Sequence, residues 1–120
     1  MLKIGNLIKS LKITVYGGRL SKNEYSLRLS QAQELMHKFY EKCDRKIRFS
    51  KNYLPEVGIT ESAEKAVEEI TERAKETVMK RAEIVALRAG HEMITAGDVK
   101  IATAEVTFGK KFDKMLYFED

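Results

Sequence analysis

The stretch from Thr60 to Gly90 constrains this chain more than any other. Ala63, Val67, Ile70, Ala74, Val78, Ala82, Val85 and Ala89 recur every three or four positions and draw one apolar stripe down a helix. Thr60 is a suitable N-cap, with Glu61 and Glu64 in the first turn, where the helix dipole favours acids. Glu61–Lys65, Glu69–Arg73 and Glu76–Lys80 are opposite charges four apart on the wet side. Gly90 is placed to end the helix. About thirty residues at ~1.5 Å each make a rod of roughly 45 Å. A compact chain of 120 residues has a radius of gyration of about 14 Å. The rod therefore overhangs a single globular copy, and its stripe needs cover. A second copy of the same helix, crossing near Ala74 and Val78, is the economical solution, with Ala63, Val67, Ile70, Ala74, Val78, Ala82 and Val85 as the interface. Cover from the chain's own N-terminal half is the competing one.

The rest of the chain reads as mainly helical. One proline and seven glycines leave few turns, which favours long uninterrupted elements over a sandwich with many turns. Thr95 and Asp98 resemble a capping box that opens a short helix carrying Val99, Ile101, Ala102 and Val106. Beyond Gly109, the residues Phe112, Met115, Leu116, Tyr117 and Phe118 are too densely apolar for a free tail. Upstream, Ser30 reads as the N-cap of a helix with Leu35, Met36, Phe39, Tyr40, Cys43 and Ile47. Residues 1–29 are ambiguous. Lys12–Tyr16 and Tyr25–Leu29 alternate like strands on either side of Gly17-Gly18, a hairpin pattern. Leu7, Ile8 and Leu11 suit an amphipathic helix equally well.

Charge is unevenly placed. The first 53 residues hold twelve Lys/Arg against four Asp/Glu, and the remaining 67 hold ten against fourteen. No acid occurs before Glu24. A basic half joined to an acidic half suits a polyanion on one side and an assembled body on the other. A merely solvated surface explains the same asymmetry. A single cysteine, Cys43, excludes an internal disulfide and fits a reducing compartment. With no long uncharged apolar run and no secretory pattern, the expected location is cytoplasmic.

A long helix followed by Ile94-Thr95-Ala96-Gly97-Asp98-Val99-Lys100-Ile101-Ala102 resembles the second half of the histone fold. Ile59–Val106 is similar to archaeal histones without a gap. Ile59-Thr60-Glu61-Ser62-Ala63 and Ala86-Leu87-Arg88-Ala89-Gly90-His91 carry the rest of the likeness. The resemblance implies a histone fold, a long central helix flanked by shorter ones in a head-to-tail handshake dimer. It divides the chain into a basic extension over 1–44 and a histone-fold domain over 45–120 with an aromatic tail. It also implies that His91 and Asp98 replace the family's arginine–aspartate pair, which ties the loop to the last helix. In DNA-wrapping members, basic and hydroxyl residues of the loop after the long helix meet phosphate. Here that loop has Glu92 and Met93, neither of which donates to phosphate. Gly58 stands where an arginine enters the minor groove, and Phe49 lies near the position of another.

Two uses fit these departures. Non-specific binding of double-stranded DNA, for compaction or architecture at the nucleoid, would move to the basic half. Arg45, Lys46, Arg48 and Lys51 lie nearest the fold, and Lys9, Lys12, Arg19, Lys22, Arg28 and Lys42 are further candidates for phosphate contact. The chain would act as a homodimer, with room to stack into tetramers. Alternatively, it is a histone-fold interaction module of a transcription-related complex. An enzyme is the weakest reading, because there is no phosphate-binding glycine loop, dinucleotide fingerprint, HExxH or CxxC. No catalytic residue, metal, cofactor, small-molecule substrate or membrane partner is expected. His37 and Glu41 make too small a ligand set for zinc, and Cys43 reads as a core thiol.

Overall fold

The computed structural model describes the backbone of residues 4–47 and 57–117, and side chains over 5–43 and 57–114. Five helices follow one another among the described residues: α1 (Ile4–Val15), α2 (Lys22–Ile47), α3 (Glu61–Ala89), α4 (Ala96–Phe108) and α5 (Lys110–Tyr117). The chain is mainly helical.

The expected ends of the long helix are where the sequence puts them. The Thr60 hydroxyl accepts the Ala63 amide at 3.2 Å. Gly90 closes α3 in the left-handed region at φ 76°. Thr95 and Asp98 form the full reciprocal capping box of α4. Removing such a cap costs about 1 kcal/mol.

The N-terminal half differs from the hairpin pattern. No strand occurs among the described residues, and Lys12–Val15 belongs to α1 while Tyr25–Leu29 belongs to α2. Leu7, Ile8, Leu11 and Val15 keep a helical spacing over twelve residues, and that longer pattern prevails over a five-residue alternation. Gly17 and Gly18, at φ 110° and 81°, end a helix instead of turning a hairpin. The Gly18 amide reaches back to the Ile13 carbonyl at 2.7 Å, as in helix termini that close through left-handed residues.

Ser30 is not a cap. It lies inside α2, which opens eight residues earlier. Ser21 and Glu24 cap that helix reciprocally, the Glu24 amide donating to Ser21 Oγ at 3.1 Å and the Ser21 amide to Glu24 Oε1 at 3.3 Å. α2 then runs without a break through the expected boundary between residues 44 and 45.

The core lies around α4, which packs against α3 on one side and α2 on another. Ala32 from α2, Ala82 and Val85 from α3, Ile101, Ala102 and Ala104 from α4 and Phe112 from α5 are buried together. Alanines at these contacts let the helix axes approach closely. α4 is apolar around most of its circumference because it is covered from several directions. Phe112 is fully buried, so the dense tail packs on the body through at least this ring.

The long rod overhangs, as its length requires. The molecule measures 61 × 38 × 21 Å with a radius of gyration of 17.7 Å. The buried residues of α3 are Ala82, Val85, Ala86 and Arg88, all in its last third. Ala82 and Val85 are occupied by the chain's own core, and Val78 borders it. Those three positions are therefore not free for a partner. Val67 and Ile70 remain 57% and 68% exposed, and Ala74 is exposed beside a half-buried Ala63. No helix among the described residues is long and apolar enough to cross a membrane.

Candidate nucleic-acid interface

The turn between α1 and α2 is pinned to the end of α3. The Leu20 amide donates to the Arg88 carbonyl at 2.8 Å, and Arg88 Nε donates to the Gly18 carbonyl at 3.0 Å. Gly17 is favoured here by its left-handed φ of 110°. A Cβ at this position would stand 2.8 Å from Arg88 Nη2. The two glycines thus let a tight turn rest on a guanidinium, and that turn presents Arg19.

Arg19 is exposed, as are Lys9 and Lys12 on α1 and Lys22 at the start of α2. Lys9 and Lys12 are three apart and so share one side of α1. The ion pairs of lysine and arginine among the described residues use other cations: Arg28, Arg81, Lys38 and Lys65. Lys9, Lys12, Arg19 and Lys22 therefore lie on α1, the turn and the start of α2 with their charges turned to solvent.

The second expected cluster lies apart from these four. Arg45 and Lys46 fall in the last turn of α2, and Arg48 and Lys51 lie outside the described residues. Arg45 is 23 positions along α2 from Lys22, which is about 35 Å at 1.5 Å per residue. Arg28 leaves the list of phosphate contacts altogether. It is 2% exposed and donates through Nη2 to Glu105 at 2.7 Å and Asp113 at 2.9 Å.

On the other side of the pinned turn, the expected His91–Asp98 pair is made. His91 Nδ1 lies 3.0 Å from both carboxylate oxygens. Asp98 is fully buried and also accepts from Tyr25 Oη at 2.7 Å and the Thr95 amide at 2.8 Å. Burial pushes its carboxyl up, but the Thr95 amide, His91, Tyr25 and the Thr95 hydroxyl together outweigh that and hold it below the ordinary aspartate value. Burial raises the Tyr25 phenol, which packs edge-on to His91 at 5.1 Å. This cluster ties the loop, α2 and α4 together. Glu92 and Met93 stand exposed beside it. Gly58 is exposed at the other end of α3.

A buried charge network was not anticipated from the sequence. Glu105 Oε2 accepts from both Arg28 and Arg81 at 2.7 Å, and the Arg28 guanidinium lies 4.2 Å from the Phe112 ring centroid. Two signals were present. Arg28 sits three after Tyr25 and four before Ala32, on the stripe that buries α2. Glu105 interrupts an otherwise apolar run in α4.

No cluster of three His, Cys, Asp or Glu side chains among the described residues is placed to hold a metal. Cys43 is free and half-buried on α2. Comparison of the chain with family models, curated proteins and solved structures returns no match.

Proposed function

We propose that this chain is a histone-fold protein that binds double-stranded DNA without sequence preference, as a homodimer, and shapes or compacts it. The observation that carries the reading is the group of exposed cations Lys9, Lys12, Arg19 and Lys22, with Glu24 the one acid among residues 1–33, on either side of an α1–α2 turn bonded to the end of α3. Exposed cations that outnumber the local acids release counterions from a duplex when they meet its phosphates. Arg45 and Lys46 add a second basic end to the same helix. The two ends lie about 35 Å apart along α2, close to the roughly 34–36 Å of one turn of B-form DNA.

The histone-fold part of the reading draws on the capped long helix, the box at Thr95 and the His91–Asp98 tie. The dimer part draws on the exposed stripe of Val67, Ile70 and Ala74, continued by a half-buried Ala63. That same stripe favours the second reading, a module that binds another protein and not DNA.

Retention on random-sequence duplex distinguishes them. Replacing Lys9, Lys12, Arg19 and Lys22 by glutamine should weaken binding on every sequence alike, because phosphate contacts position a protein without reading bases. Replacing Arg45, Lys46, Arg48 and Lys51 should do the same if both ends touch the duplex. Absence of wild-type retention at about 50 mM salt, where phosphate contacts are strongest, would put the interaction module in place of this reading.

A further inference from the structure

Beneath the pinned turn, α1, α2, α3 and α5 enclose a half-open cavity of about 560 Å³. Small-molecule sites span about 300–1,000 Å³, so this space exceeds what a bare inorganic anion needs. Three guanidinium groups line it: Arg28, Arg81 and Arg88. Val15, Leu20 and Leu27 supply an apolar wall.

The hydrogen-bonding balance of that lining is uneven. Arg28 and Arg81 share Glu105, and Arg28 also holds Asp113. Arg28 Nε, Arg28 Nη1 and Arg81 Nε are buried donors without a protein acceptor, and Glu105 Oε1, behind the lining, is a buried acceptor without a donor. Arg88 is only 9% exposed and makes no ion pair among the described residues, spending its Nε on the Gly18 carbonyl. The other acid of the lining, Glu24, accepts the Ser21 amide through Oε1. A guanidinium taken out of water without a counter-charge is costly. An oxyanion seated against it removes that cost, and the planar guanidinium fork matches phosphate geometry.

We propose that this cavity binds a small organic phosphate, with the phosphate on Arg88 and the apolar body against Val15, Leu20 and Leu27. The site goes beyond the DNA reading and does not depend on it. Arg88 has the chemistry of an anion seat. Burial lowers its pKa from the ordinary arginine value, Arg28 and Arg81 push the same way, and Glu105 and Asp113 oppose them. A Cβ at Gly17 would stand 2.8 Å from Arg88 Nη2, so a methyl there would shift the tip of the guanidinium.

Calorimetric titration of the full chain with phenyl phosphate and with inorganic phosphate, at constant ionic strength, tests the site. Phenyl phosphate should bind at least about tenfold tighter than inorganic phosphate, and Arg88→Met should lose about tenfold or more. Val15→Glu is the second variant. Val15 is 74% exposed, so the fold is not at stake, and a carboxylate at the mouth should weaken binding by a similar factor. Excess duplex DNA should leave the phenyl phosphate affinity unchanged. No binding at millimolar phenyl phosphate would overturn the proposal, as would binding that survives both substitutions. If duplex DNA displaces phenyl phosphate and Arg88→Met also weakens DNA binding, the cavity takes a backbone phosphate and the small-molecule assignment falls.

Discussion

Replacing Glu105 by glutamine keeps the shape of the side chain and removes its charge. Its carboxylate is 3% exposed and serves two guanidinium groups at 2.7 Å each. The consequences differ for the two arginines. Arg81 is 25% exposed and stacks on the Tyr16 ring at 4.9 Å, so it can turn part of its charge to water. Arg28 is 2% exposed and keeps only Asp113, a carboxylate that is 54% exposed and correspondingly screened. Breaking a buried pair from one side costs about 3–5 kcal/mol. With Asp113 in place, Glu105→Gln should fall near the lower end, about 3 kcal/mol. At a urea dependence of about 1.5 kcal/mol per molar, the unfolding midpoint should drop by roughly 2 M. The double variant Arg28→Met, Glu105→Leu should lose less than the sum of its singles, because no buried charge is then stranded on Arg28. Urea unfolding followed by helical circular dichroism measures all of these. A Glu105→Gln midpoint within about 0.3 M of wild type would refute the reasoning, since it would mean that Arg28 does not need its partner.

Asp98 titrates below the ordinary aspartate value in the folded chain, so its contribution to stability is complete above about pH 4 and is lost as pH falls further through the folded value. Asp98→Asn should flatten that acid limb of the stability profile, and an unchanged limb would contradict the assignment. Val67→Asp with Ile70→Asp alters residues exposed in one copy, so the helix content should persist while sedimentation shifts from dimer to monomer; an unshifted dimer would place the interface elsewhere. Gly17→Ala combines a left-handed φ of 110° with a 2.8 Å approach to Arg88. It should destabilise by more than about 1 kcal/mol in the same urea assay.

The features legible in the sequence are the ones written locally. Thr60, Gly90 and the Thr95–Asp98 box signal their helix ends within four residues of the groups they satisfy, and His91 faces Asp98 across a short loop. The length of α3 also implied an overhang before any packing was known. The start of α2 was equally local, as Ser21-x-x-Glu24, but Ser30 stands closer to the apolar run and drew the cap to itself. The α1 stripe was present as Leu7, Ile8 and Leu11, in competition with a two-residue alternation around Gly17-Gly18. The Arg28–Glu105 pair joins positions 77 apart, and no spacing rule connects them. The seat of Arg88 depends on a turn near residue 17 folding onto a helix that ends near residue 90, so neither segment shows it alone. Cover for Ala82 and Val85 came from α4, a few residues downstream. The crossing proposed for a second copy is thereby confined to the N-terminal half of α3.

The salt dependence of binding to random-sequence duplex tests the central claim most directly. With Lys9, Lys12, Arg19 and Lys22 on phosphate in each protomer of a dimer, log K should fall linearly with log salt. The slope should approach about −7, at roughly 0.9 per contact. Glutamine at those four positions should flatten most of that slope on every duplex tested. A wild-type slope near zero, or one that the four substitutions leave intact, would contradict the account.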